Sequence, residues 1–163
     1  MESPRGSAVV QRVARWVLIA IVATLIGYAA WMATVQFTKR SVTVMIGRAT
    51  LSAEVADNDD TRRRGLAGRE KIADHAAMLF VFDRDDSWKI WMKDMKMPID
   101  VVWLDAKKTV VHVEHNVQPD AEPYREYQPP KPARYVLETA AGVAKDKGIR
   151  EGVQASFEVE GRS

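Results

Sequence analysis

This sequence predicts a mainly β (α+β) domain, an antiparallel β-barrel or sandwich with two short peripheral helices, behind one N-terminal transmembrane helix. Three observations carry that prediction. Short runs rich in β-branched and aromatic residues recur from Val42 onward between turn residues, with no repeated helical crossovers. Only two segments, 57–65 and 139–148, show the charge order and closing glycine of a helix. Trp16 to Val35, WVLIAIVATLIGYAAWMATV, carries no charge, over the ~20 residues a helix needs to cross a bilayer's hydrocarbon.

Arg5, Arg12 and Arg15 precede that run and Lys39 and Arg40 follow it. The slight basic excess on the N-terminal side places the N-terminus in the cytoplasm. Trp16 at one end, and Tyr28 with Trp31 toward the other, suit rings at headgroup depth, and Gly27 with Ala23 and Ala30 offers small residues for close helix packing. The absence of an Ala-x-Ala site favours an uncleaved anchor over a cleaved signal peptide. A chain of 163 residues also has little mass with which to surround a helix apolar on every side. The expected organisation is a cytoplasmic N-terminus over 1–15, a transmembrane helix over 16–36, a tether over 37–41 and a β-rich domain over 42–163. That domain is placed in the periplasm, held at the inner membrane.

Val42 to Ile46 reads as a strand by its β-branched content, Gly47-Arg48 as a turn, and Thr50 to Val55 as the second strand of a hairpin. Asp57 to Asp60 followed by Thr61, Arg62, Arg63, Arg64 and Gly65 puts acids at a helix start and arginines at its end, so the triple arginine reads as a solvated helix terminus ahead of an anion site. Met78 to Phe82 and Trp88 to Met92 read as a central hairpin bent at Asp83-Arg84-Asp85-Asp86. Lys93 to Pro98 is a loop, Val101 to Asp105 a buried strand, and Thr109 to His115 another. Proline at 119, 123, 129, 130 and 132 makes that segment a long irregular excursion. Arg134 to Glu138 returns as a strand, Thr139 to Lys147 as a short helix stopped by Gly148, and Val153 to Glu160 as a closing strand.

The absence of cysteine removes disulfides, thiol nucleophiles, cysteine metal sites and lipid-modified cysteine together. A net charge of +2, with Lys and Arg spread along the chain, points to no nucleic-acid partner. His75, His112 and His115 give no zinc set: His112 and His115 face opposite sides of a strand, while His112 and Glu114 share one. The acids at 83, 85 and 86 lack the glycine and distant glutamate of a calcium loop. No serine sits in a nucleophile elbow. Nothing calls for a metal or another cofactor.

Two carboxylates at strand ends, Asp100 and Glu138, are the candidates for acid and base work, with Arg69 and Lys93 as cationic neighbours. Trp91 with Met95 and Met97, next to Lys93, forms a candidate binding surface, since flexible methionines beside an aromatic suit soft recognition.

The motifs Arg64-Gly65-Leu66-Ala67-Gly68-Arg69, Met78-Leu79-Phe80-Val81-Phe82, Trp91-Met92-Lys93 with Pro98-Ile99-Asp100, and Tyr135-Val136-Leu137-Glu138 with Ala141-Gly142 occur in that order. Together they resemble the domain-of-unknown-function 192 family over nearly everything after the apolar run. The resemblance implies a small, mainly β domain, often exported, with no established activity. The chain departs from the family pattern at Ala77, at Asp94-Met95 and at Gly152-Val153.

The expected function is a membrane-anchored binding or accessory subunit of a larger membrane protein complex, with the bilayer and that complex as partners. The alternative is an envelope enzyme or a binder of an unidentified small ligand, using the polar cluster around Asp100 and Glu138. A carbohydrate-binding module is a third reading, resting only on tryptophans.

Overall fold

The structure, a computed structural model, describes residues 5–35 and 40–159. The chain divides into two compact units, one within residues 1–38 and the other within 39–163.

The first unit holds helix α1, Arg5–Val35, in which the Thr24 hydroxyl donates to the carbonyls of Ala20 and Ile21. Among the described residues, no helix is long and apolar enough to cross a membrane. This corrects the expected transmembrane anchor and the inner-membrane, single-pass localisation with a periplasmic domain. Trp16, Gly27 and Tyr28 lie on α1, whereas the side chains of Trp31, Arg5 and Arg12, and the whole of Lys39, lie outside the described residues.

The second unit is built from β1 (Ser41–Ile46), β2 (Ala49–Ala56), α2 (Asp59–Arg64), β3 (Ala76–Asp86), β4 (Ile90–Trp91), β5 (Ile99–Leu104), β6 (Val110–Val117), β7 (Glu126–Tyr127), β8 (Ala133–Ala140), α3 (Val143–Lys147) and β9 (Ala155–Ser156). Seven strands form one sheet in the order β6-β5-β8-β3-β2-β1-β9, and β4 pairs with β7 in a separate ribbon. The two edges of the large sheet meet where Thr109 bridges Gln154, and the Val110 amide donates to Val153 and the Ala155 amide to Lys108. The sheet therefore curls into a half-barrel.

The mainly β expectation is met, but the sheet is mixed: β2 and β3 run parallel. The cause is the connection through α2, which carries the chain back so that β3 runs beside β2 in the same direction. Asn58 caps α2 by accepting from the Thr61 amide, and Gly65 ends it, as the charge order predicts. The expected central hairpin does not form. Asp83 to Asp86 continue β3, and Ile90-Trp91 pairs with Glu126-Tyr127 instead, so the proline-rich segment contributes a strand of its own.

Alternation along the strands explains the long apolar runs, because both faces of the sheet are covered. Ala77, Leu79 and Val81 of β3 join one buried cluster, with Val102, Leu104, Leu137 and the α3 residues Val143 and Ala144. Met78, Phe80 and Phe82 join a second on the other face, with Leu66, Met92, Val101, Trp103 and Val136. The β1–β2 turn needs glycine at position 47, where φ is +57 and a Cβ would stand 2.6 Å from the Lys147 carbonyl. That turn locks onto the end of α3, the Arg48 amide donating to the Lys147 carbonyl at 2.8 Å and its guanidinium to that of Asp146 at 2.6 Å.

Candidate ligand-binding site

On the second face, a row of side chains crosses four strands in register. Glu54 of β2 lies opposite Met78 of β3, Met78 opposite Glu138 of β8, and Glu138 opposite Val101 of β5. The segment from the end of α2 to Arg69 runs over this row. Leu66 is buried there in the apolar cluster. Arg69 reaches Glu54 through two parallel hydrogen bonds, Nη1 to Oε1 at 2.8 Å and Nη2 to Oε2 at 2.6 Å, the fork-to-fork geometry that arginine favours.

Glu138 is only 5% exposed, and its Oε2 has no hydrogen-bond partner. Burial pushes its carboxyl up to about 8, with Arg69 pulling in the opposite direction. The result is a carboxyl that keeps its proton near neutral pH and has hydrogen-bonding capacity to spare.

That carboxyl lies at a pocket of about 130 Å³ lined by Phe80, Phe82, Ile90, Trp91 and Met95 among others. Arg62, Arg63 and Arg64 from α2, with Lys89 and Lys93, complete the lining, and Glu138 is its one acidic member. Gly65 stands over the carboxyl, the position of a Cβ there lying 3.9 Å from Glu138 Oε2 and 3.3 Å from Phe80 Cζ. Arg62 is fixed by donating to the Val81 carbonyl at 2.9 Å and to Asp59 at 2.6 Å. The wall at residues 88–91 is held by Trp88, which stacks on Phe82 with centroids 4.0 Å apart and accepts at its carbonyl from the Trp103 indole at 2.9 Å. The Gly68 amide donates to the Asp94 carbonyl at 2.8 Å, tying the two loops together.

The sequence-predicted site residues divide among four places. Glu138, Trp91, Lys93 and Met95 line the pocket, with the Lys93 ammonium 5.8 Å from the Trp91 ring centroid. Arg69 sits beside it, paired with Glu54. Met97 is packed in the apolar cluster. Asp100 is on the opposite face, where it accepts from the amides of Asn116 and Ala144, both at 2.8 Å. The three arginines of α2, Phe80 and Phe82 are pocket residues that the sequence placed at a helix end and in a strand of the expected hairpin. The signal for them is the arginine run followed immediately by glycine, which brings cations and backbone close together over one spot.

The acids read as a poor metal site are engaged elsewhere, Asp85 with Arg134 at 2.6 Å and Asp86 with Arg84 at 3.1 Å. Among the described residues, no group of three or more His, Cys, Asp or Glu side chains is placed to hold a metal. His112 and Glu114, sharing a face of β6, meet at 3.2 Å.

A curled mixed sheet with a short helix in its parallel crossover, from β2 to β3, and a buried carboxyl under that crossover defines a small, mainly β domain class. The chain belongs to the DUF192 family, described as Uncharacterized ACR, COG1430, which matches residues 42–157. It is 32% identical over 108 residues to a UPF0127 protein of Thermococcus gammatolerans, with 65% of this chain and 66% of the relative covered. A UPF0127 protein of Thermococcus sibiricus is 30% identical over 109 residues, with 66% of each covered, so the chain spans just under two-thirds of the length of these relatives. Among solved structures, it is similar to a protein of Sinorhizobium meliloti 1021 named as a candidate transcription regulator. The TM-score is 0.70 and the identity 26%, over 75% of this chain and 97% of that one. A protein of unknown function from Novosphingobium aromaticivorans shares the fold at TM-score 0.65 and 24% identity, over 71% of this chain and 83% of that one.

Proposed function

We propose that the domain binds a small ligand in the pocket above Glu138. The observation that carries this reading is the Glu138 carboxyl, buried and with an oxygen left without a partner, lining a pocket of about 130 Å³. Leaving a buried polar atom unmatched costs about 1–3 kcal/mol, and a ligand atom that completes its hydrogen bonding recovers that cost. The size suits a compact molecule, since a cavity of about 150 Å³ holds benzene.

Backbone amide spectra of the full chain, recorded against a panel of small acids, amides and amines, test the reading. Ligands are expected to shift the signals of Gly65, Leu66 and Trp91 together, and Glu138→Gln is expected to weaken them. Shifts that map elsewhere, or no shifts with any compound, would remove the reading.

A second reading, in which the same face serves a protein partner as an accessory or binding module, is favoured by one feature. Trp91 is 50% exposed beside Lys93, and tryptophan is enriched among the residues that anchor protein interfaces.

A further inference from the structure

We infer that the ligand is a short organic carboxylate that also carries an uncharged oxygen acceptor, with the acceptor turned inward to Glu138 and the carboxylate held at the cationic mouth. The inference rests on the small-ligand reading and adds the ligand's charge and polarity.

Charge is decided by the lining. Five cationic side chains meet one carboxyl there, and that carboxyl keeps its proton near neutral pH. Arg62 and Lys89 have carboxylate partners of their own, Asp59 and Glu126. Even with those two and Arg64 left out of the sum, Arg63 and Lys93 leave the mouth positive. A positive mouth with apolar walls draws in anions and opposes cations, and the low dielectric of such a cleft strengthens the effect.

Polarity is decided by the inner end. The buried Glu138 Oε2 has no partner and lies beneath Gly65; as the O–H of a neutral carboxyl it donates, and the ligand atom that meets it is then a carbonyl or ether oxygen. A site built around such a donor discriminates against analogues lacking the acceptor, because the protein group is then buried unmatched. Between the two ends, Phe80, Phe82 and Ile90 accept only an apolar spacer.

The test is calorimetric titration of the full chain at neutral pH with 4-oxopentanoate, pentanoate, 4-oxopentanamide and pentylammonium. The oxo acid is expected to bind at least about tenfold more tightly than each of the others. Glu138→Leu should erase its advantage over pentanoate, and Lys93→Gln, at an exposed position, should shrink its advantage over the amide. Equal binding of the amide, equal binding of pentanoate, or preference for the ammonium would each overturn the inference while leaving the pocket reading in place. Absence of binding by all four in calorimetry, with no movement of the Gly65 and Trp91 amide signals, would take down both.

Discussion

Asp100 and Glu138 stand on adjacent strands one residue out of register, Asp100 opposite Thr139 and Glu138 opposite Val101, so their side chains leave opposite faces of the sheet. Both carboxyls are buried, yet their surroundings differ in kind. Asp100 accepts two backbone hydrogen bonds that tie β6 and the start of α3 to β5. Glu138 has an unmatched oxygen beside a pocket. The first is a structural fastening, and the second is where ligand chemistry is available.

Glu138 should make the fold lose stability as pH rises. Burial pushes its folded carboxyl up to about 8, against an ordinary value of 4.5. Between those values the unfolded chain releases a proton that the folded chain keeps, so stability falls with pH. The contribution is fully present below the ordinary glutamate value and is lost as pH climbs through the folded one. Denaturant unfolding across this window should show wild type losing on the order of a few kcal/mol relative to Glu138→Gln. Parallel curves for the two proteins would mean that Glu138 is ionised in the fold.

Asp100→Ala should destabilise by about 2–4 kcal/mol, because two backbone N–H groups lose their acceptor, that of Ala144 in a buried setting and that of Asn116 in a partly buried one. Asp100→Asn keeps one acceptor oxygen and should cost less. The measurement is urea unfolding combined with hydrogen exchange at the Asn116 and Ala144 amides, which should lose protection first. Unchanged protection at Ala144 would show that α3 is held by its apolar contacts alone.

Much of this was legible in the sequence, for local reasons. The β1–β2 hairpin, the short helix α2 and its stop at Gly65 are set by nearby residues, and each forms where the pattern places it. What was not legible depended on long-range pairing. Nothing near Asp83 to Asp86 reveals that β3 continues through four charged residues to meet Ala133. Nothing near Ile90 names Tyr127 as its partner. Register carries the same lesson for the site: Asp100 and Glu138 can be recognised singly, but a one-residue offset between β5 and β8 decides that they never meet.

Arg69→Met should raise the titration point of Glu138 further, since the guanidinium is the one charge pulling it down. Arg69→Lys keeps the charge and should leave that titration nearly in place, while losing the two-pronged contact with Glu54. The pair is about one-third exposed, so its own stability cost should stay near 1 kcal/mol. Carbon-13 shifts of the Glu138 carboxyl followed through a pH titration separate the two variants. Identical titrations in Arg69→Met and wild type would show that Arg69 serves Glu54 only.

Gly65→Ala and Gly68→Ala together separate backbone strain from occupation of the pocket. Both glycines have positive φ, +51 at Gly65 and +77 at Gly68, so alanine at either position should cost about 1–3 kcal/mol through the backbone. They differ in what a methyl group meets: Phe80 at 3.3 Å and the Glu138 oxygen at 3.9 Å for Gly65, and nothing within 4 Å for Gly68. Unfolding measurements should place both variants below wild type, with Gly65→Ala the lower of the two because Phe80 has to give way to its methyl group. Binding in the pocket should weaken in Gly65→Ala alone, because its methyl group takes the space directly over the carboxyl. Equal loss of binding in both would show that the conformation of the loop, and not the open space at Gly65, governs access to Glu138.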